Sequence, residues 1–206
     1  MRSDITPGAV FPDYELADHQ GQMCRLSELQ GSLPMVLHLS RGGYCPKENR
    51  FVRRLVQDYP DFRVAHTRIV LISTDNQLDT NEFRDTQAAE FPFLSDPDRI
   101  VQQDLEIQEY TDPVHDPMIP HTFVLEPGLV IYSMYIGYWF WARPTMEELH
   151  RDLREVFKKF RQHDYDPTAP GLREAWENHE REVFLVEPAR GAPIRYTEGE
   201  AVGVKR

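Results

Sequence analysis

The stretch S-R-G-G-Y-C-P-K-E-N, residues 40–49, joins an apolar run, P-M-V-L-H-L at 34–39, to a helical pattern that opens at Pro46. The run is of strand length and almost continuously apolar, as a strand buried on both faces is. Beyond Pro46, Phe51, Val52, Leu55 and Val56 recur at i, i+1, i+4 and i+5 on one helical face. Arg53, Arg54, Gln57 and Asp58 take the other face. A strand that turns directly into a helix is the working unit of an α/β sheet, and sites in such sheets gather at the carboxyl ends of strands. Cys45 stands at that place.

Working outward, strand and helix signals alternate. Residues 14–17 and 22–26 flank the turn D-H-Q-G and predict a hairpin. R-I-V-L-I-S-T-D at 68–75 predicts a second central strand, and 78–89 a polar helix. A short strand at 91–97, a short helix at 98–104 and a loop with three prolines (residues 110–120) follow. Two strands around E-P-G (126–128) form a further hairpin. Thr145 and Glu148 have capping-box spacing and open a helix expected to run to about residue 163, with an apolar stripe from Met146 to Phe160. The order implies an α/β fold with a mixed sheet and helices on both faces. After Tyr165 the texture changes to D-P-T-A-P-G, a short helix near 172–182 and a strand-like F-L-V at 184–186. We therefore divide the chain into a domain over 1–164 and a C-terminal extension over 165–206.

The 206-residue chain is 40% hydrophobic and 28% charged, ordinary for a globular protein. Its formal net charge of −11 argues against a nucleic-acid partner, which needs a basic footprint. No run of about 18 apolar residues predicts a membrane span. The opening M-R-S-D-I-T-P-G lacks the apolar stretch of a signal peptide, so a cytoplasmic location is expected. Two cysteines are too few for a disulfide framework, and in a reducing compartment each is either a small buried hydrophobe or a reactive thiol.

The surroundings of Cys45 favour the reactive reading. A helix N-terminus carries unpaired N–H groups and a partial positive charge that stabilise a thiolate. Pro46 suits the first helical position because its missing N–H has no helix partner there. Gly42 and Gly43 allow close approach of backbone amides to the sulfur or to a bound oxygen. Arg41 adds positive charge. Glu48 occupies the place of the second cysteine of C-x-x-C, so disulfide exchange by that route is excluded.

Residues 41–49 resemble the R-G-x-[WY]-C-P motif of the alkyl hydroperoxide reductase/thiol-specific antioxidant family, the peroxiredoxin-like branch of the thioredoxin fold. L-S-E-L-Q-G (26–31), I-P-H-T-F-V-L-E-P-G-L-V (119–130) and A-R-P-T-M-E-E-L (142–149) resemble further family segments in the family's order. The likeness spans about residues 5–163. It implies a thioredoxin-like three-layer fold and thiol peroxidase chemistry without a cofactor. Cys45 would attack the peroxide, and an external thiol would restore it. Arg41, Arg143 and Glu48 would form the electrostatic frame, with Glu48 paired to Arg143. Gly42, Gly43, Tyr44, Pro46, Pro120 and Trp139 would line the substrate site. The resemblance also implies a cis Ile119–Pro120 bond facing Cys45, and a homodimer fits the family.

Two positions depart from the pattern. The family's P-x-x-x-T-x-x-C places a peroxide-holding threonine where this chain has Gly42, and a proline where it has His38. Typical members carry an arginine where Pro120 stands. The alternative to an enzyme is therefore a binding protein of the same fold with a degenerate, peroxidase-inactive site; a glutathione-linked or dehalogenase-type thiol transferase is a third reading. Cys24 is read as a packing residue and His38 as a hydrogen-bonded core histidine, with a base role left open. Tyr138, Trp139, Phe140 and Trp141 form either core packing, an apolar wall beside the thiol or a dimer contact. His115, Asp116 and His121 lack zinc-like spacing, and no metal is expected.

Overall fold

The computed structural model describes residues 1–138, 142–159 and 170–180. Its strands are β1 (Glu15–Asp18), β2 (Met23–Arg25), β3 (Met35–Ser40), β4 (Arg68–Ser73), β5 (Phe93–Ser95), β6 (His121–Glu126) and β7 (Val130–Ile136). Its helices are α1 (Leu26–Gln30), α2 (Pro46–Val64), α3 (Gln77–Thr86), α4 (Ile100–Asp104), α5 (Met146–Lys159) and α6 (Leu172–Glu177). The strands form one sheet in the order β2-β1-β5-β4-β3-β6-β7. The centre, β5-β4-β3, is parallel, and antiparallel pairs extend both edges.

The parallel centre explains the unbroken apolar runs. Every residue of β3 is buried, and so are all of β4 except Arg68. Met35, Leu37 and Leu39 face one layer with Phe123, Val101 and Leu26 of α1, while Val36 faces the other with Phe51, Val52 and Leu55 of α2 and Leu149 and Leu153 of α5. Burying each such side chain contributes roughly 1.5–3 kcal/mol. The result is the expected three-layer α/β arrangement.

Helix α5 begins at Met146, where the sequence placed it, and the capping box is made in both directions. The Glu148 amide donates to Thr145 Oγ1 (3.2 Å) and the Thr145 amide to Glu148 Oε2 (2.7 Å). The end expected near residue 163, the strand-like 184–186, Trp139 with Phe140 and Trp141, and the 164/165 boundary all lie outside the described residues. One short element was not foreseen: L-S-E-L-Q forms α1, with Leu26 and Leu29 turned into the core. Among the described residues no helix is long and apolar enough to cross a membrane.

The Ile119–Pro120 bond is trans, which corrects the cis expectation. Trans is the lower-energy form of an X–Pro bond by about 0.5–1 kcal/mol. The flanking backbone is satisfied in that geometry: the Ile119 amide donates to Ile107 O (2.6 Å), and Pro120 O accepts from the Gly137 amide (2.7 Å).

Candidate active site around Cys45

Cys45 is the N-cap of α2, in extended conformation, and its carbonyl accepts the first helical bond from Asn49 N–H (3.0 Å). Strand β3 delivers the chain to this point and the helix dipole is directed at the sulfur. The residue is 2% exposed. Asn49 fixes the loop from inside the helix: its Nδ2 donates to Gly43 O (2.6 Å) and Cys45 O (3.0 Å), and its Oδ1 accepts from Gln87 Nε2 (2.8 Å).

Both glycines are required by space. Gly42 has φ +108°, and a Cβ there would lie 2.4 Å from Asp75 Oδ1. A Cβ on Gly43 would lie 2.9 Å from Phe83 Cβ. The family's threonine would be strained here: the positive φ disfavours any L side chain at Gly42, and the Asp75 carboxylate would have to shift to admit one. The amides of these glycines are also committed. Gly42 N–H donates to Ser40 Oγ (3.1 Å) and Gly43 N–H to Asp75 Oδ2 (3.0 Å). Burial raises the Asp75 carboxyl above its ordinary range, and the Gly43 bond works against that rise.

Arg41 lies beside the thiol, with Nη1 3.6 Å from Cys45 Sγ. The rest of its guanidinium meets the proline-rich loop: Nε is 2.8 Å from Glu109 Oε2, and Nη2 donates to Glu109 Oε1 (3.1 Å) and Asp112 Oδ2 (3.2 Å). Tyr44 completes the set, donating its hydroxyl to Asp112 Oδ2 (3.0 Å) and stacking on the His115 ring at 3.6 Å. Burial pushes the Asp112 carboxyl up, but bonds from His115 and Tyr44 outweigh it and bring the group down to about 2. Tyr44, Gly43, Asp75, Asp79, Glu82 and Phe83 border a cleft of about 420 Å³ between the Cys45 loop and α3.

Behind the loop sits a second polar set, with Glu48 and His38 fully buried. Glu48 Oε1 accepts from Arg143 Nη2, the pairing the resemblance implied, and Glu48 Oε2 lies 2.7 Å from His38 Nε2. His38 Nδ1 in turn meets Thr122 Oγ1 at 2.9 Å. Burial alone would raise Glu48, yet His38 and Arg143 bring it down to about 2. His38 therefore has both ring nitrogens engaged in the core and is not placed as a base at the sulfur. Arg143 acts on Glu48, whereas Arg41 is the arginine that reaches the thiol.

The other candidates disperse. His115 bonds to Asp112 and Asp116 to Arg99, while His121 Nδ1 meets Ile119 O (2.7 Å) with burial holding its imidazole down to about 4. Among the described residues no three His, Cys, Asp or Glu side chains are grouped as a metal site requires. Cys24 is free, on the edge strand β2. Glu109, Asp112, Asp75 and Thr122 were missed from sequence; they belong to no spacing pattern and meet the site only through the fold.

The model for the AhpC/TSA family matches residues 7–134. A Mycobacterium tuberculosis protein named "Putative peroxiredoxin Rv2521" is 32% identical over 138 residues, covering 64% of this chain and 85% of the relative. Peroxidoxin BcpB from the same organism has a similar structure, with TM-score 0.62 and 20% identity over 76% of this chain and 98% of its own. Reduced Prx3 of Vibrio vulnificus, solved in complex with hydrogen peroxide, has TM-score 0.65 and 16% identity over 72% and 99%. The sheet order, the Cys-Pro helix start and these likenesses agree, and the chain belongs to the AhpC/TSA family of peroxiredoxins.

Proposed function

We propose that the protein reduces hydroperoxides through a single peroxidatic thiol, Cys45, and is regenerated by an external thiol. The observation that carries this reading is the Arg41 guanidinium 3.6 Å from a cysteine sulfur at a helix N-cap. The Cys45 thiolate attacks one oxygen of ROOH, the O–O bond breaks, and the alkoxide leaves and takes a proton to become ROH. Sulfur is oxidised to the sulfenic acid as the peroxide is reduced. A first reductant thiol then displaces water to give a mixed disulfide. A second attacks that disulfide, releasing the Cys45 thiol and the oxidised reductant.

Arg41 and the helix dipole stabilise the thiolate and the charge that develops on the leaving oxygen. Tyr44, Gly42, Gly43 and Pro46 shape the approach to the sulfur. Pro120 immediately precedes β6, beside the Leu39–His121 pair at the end of β3, and would border the same approach. Glu48 and Arg143 hold the helix start against the sheet from behind.

The sheet supports an external reductant. Cys24 lies on β2, four strand positions from β3, which at the usual spacing is about 19 Å. A disulfide requires Cα atoms within about 7 Å, which speaks against Cys24 as a resolving partner within one chain. The hydroperoxide assignment matches the ligand of the Vibrio vulnificus neighbour in class. The test is hydroperoxide consumption with an excess of small thiol. Turnover by the wild type that disappears in Cys45→Ser supports the reading. Equal turnover in the two proteins overturns it.

A further inference from the structure

We propose that Glu109 and Asp112 are positioning residues that aim the Arg41 guanidinium at Cys45. This rests on the reading of Cys45 as a reactive thiol. Arginine is long, and its side chain carries about 2 kcal/mol of rotamer entropy, so a partly exposed one does not hold a single orientation unaided. Here Nη2 donates to Glu109 Oε1 at 3.1 Å and to Asp112 Oδ2 at 3.2 Å, and Nε lies in ion-pair contact with Glu109 Oε2 at 2.8 Å. Both acids thus hold the guanidinium at Nη2, and Nη1 is the corner turned to the sulfur.

The grip is itself anchored. Asp112 Oδ1 accepts from the amides of Val114 and His115, and its Oδ2 from the Tyr44 hydroxyl. The ends of the loop are closed by a Gln108–Met118 bridge and by Glu109 N–H to Pro117 O (3.0 Å). Asp116 ties the loop to the start of α4 through Arg99 (2.7 Å) and to Gln108 (2.8 Å). A loop with three prolines and this many bonds is a rigid mount.

Charge alone does not explain the acids. Two carboxylates against one guanidinium form a net negative set beside the thiol, which opposes a thiolate. Their contribution is therefore geometric, and the two accounts predict opposite signs. If the acids only screen Arg41, removing them strengthens the attraction of an anion to the site. If they aim it, removing them weakens that attraction.

The experiment compares alkylation of Cys45 by anionic iodoacetate and neutral iodoacetamide, read by mass spectrometry of the Cys45 peptide. Taking the ratio of the two rates cancels the thiolate fraction. In Glu109→Gln/Asp112→Asn the ratio should fall about fivefold, to the level of Arg41→Met, the scale of one unit-charge contact in water. Glu109→Asp keeps the charge but withdraws it by one methylene, and should give an intermediate ratio. A double-variant ratio that rises or does not change overturns the proposal. So does a wild-type ratio equal to that of Arg41→Met, or a wild-type ratio in Glu109→Asp. Because alkylation involves no peroxide, a failure here is distinct from a failure of the peroxidase reading.

Discussion

Two arginine–carboxylate sets flank the start of α2, and they differ mainly in their contact with water. Glu48, Arg143 and His38 lie behind the helix start, with the Glu48 and His38 side chains fully buried. Arg41, Glu109 and Asp112 lie in front, each with nearly a fifth of its side chain exposed. A buried ion set that loses one member leaves an uncompensated charge in a low-dielectric interior, so its removal is felt as lost stability. A set in partial contact with water is cushioned by solvent, so its removal is felt more by the sulfur it touches. The same chemistry thus serves the frame on one side and the reaction on the other.

Breaking the buried set gives the largest expected effect. Glu48→Ala should cost about 3–5 kcal/mol of unfolding free energy, measured by urea denaturation. A loss under about 1 kcal/mol would remove the distinction between the two sets. The pH dependence sharpens the same point. The folded carboxyl lies at about 2 against an ordinary 4.5, so the unfolded chain binds the proton more readily. The stability Glu48 contributes is then complete above about pH 4.5 and is lost as the pH falls toward 2. Glu48→Gln, if it folds, should show a shallower loss across that window than the wild type.

Next in size is the front set. Arg41→Met should lower the second-order rate with hydrogen peroxide by about 10²-fold, the scale of one charged donor at a reacting centre. Its unfolding free energy should change by no more than about 1 kcal/mol. A variant that loses stability and keeps its rate would reverse the assignments of the two arginines.

Gly42→Thr tests whether the missing family residue is a deficit. The positive φ and the 2.4 Å approach to Asp75 predict strain of about 1–3 kcal/mol and no gain in peroxide rate. A faster enzyme would show that the loop can accept the threonine. The smallest effect belongs to a site remote from the sulfur. Thr145→Ala removes one capping bond and should cost about 1 kcal/mol, with the peroxide rate unchanged.

These regions also differ in how far the sequence exposed them. The frame of the fold was legible because local patterns carry it: continuous apolar strands, the stripe of α5, the Thr145–Glu148 cap, and Cys45-Pro46 at a strand-to-helix junction. The Glu48–Arg143 pair was legible only through the family resemblance. The front set was half legible. Arg41 is four residues before Cys45 in the chain, but Glu109 and Asp112 are 64 and 67 residues beyond the cysteine and reach it through loop closure. The reason for Gly42 was hidden for the same cause, since Asp75 arrives from the end of β4. His38 looked like an isolated histidine in an apolar run until Glu48 and Thr122 closed around it. The cis proline was a family expectation that the local hydrogen bonding does not require.

The central claim, that Cys45 is the thiol oxidised by peroxide, has a direct measurement. The reduced protein is treated with one equivalent of hydrogen peroxide, quenched with a sulfenic-acid trap, and the cysteine peptides are weighed. The account predicts the trap on the Cys45 peptide, none on the Cys24 peptide, and a clear slowing in Arg41→Met. Trap on Cys24 alone, or on neither peptide while peroxide is consumed, would contradict it.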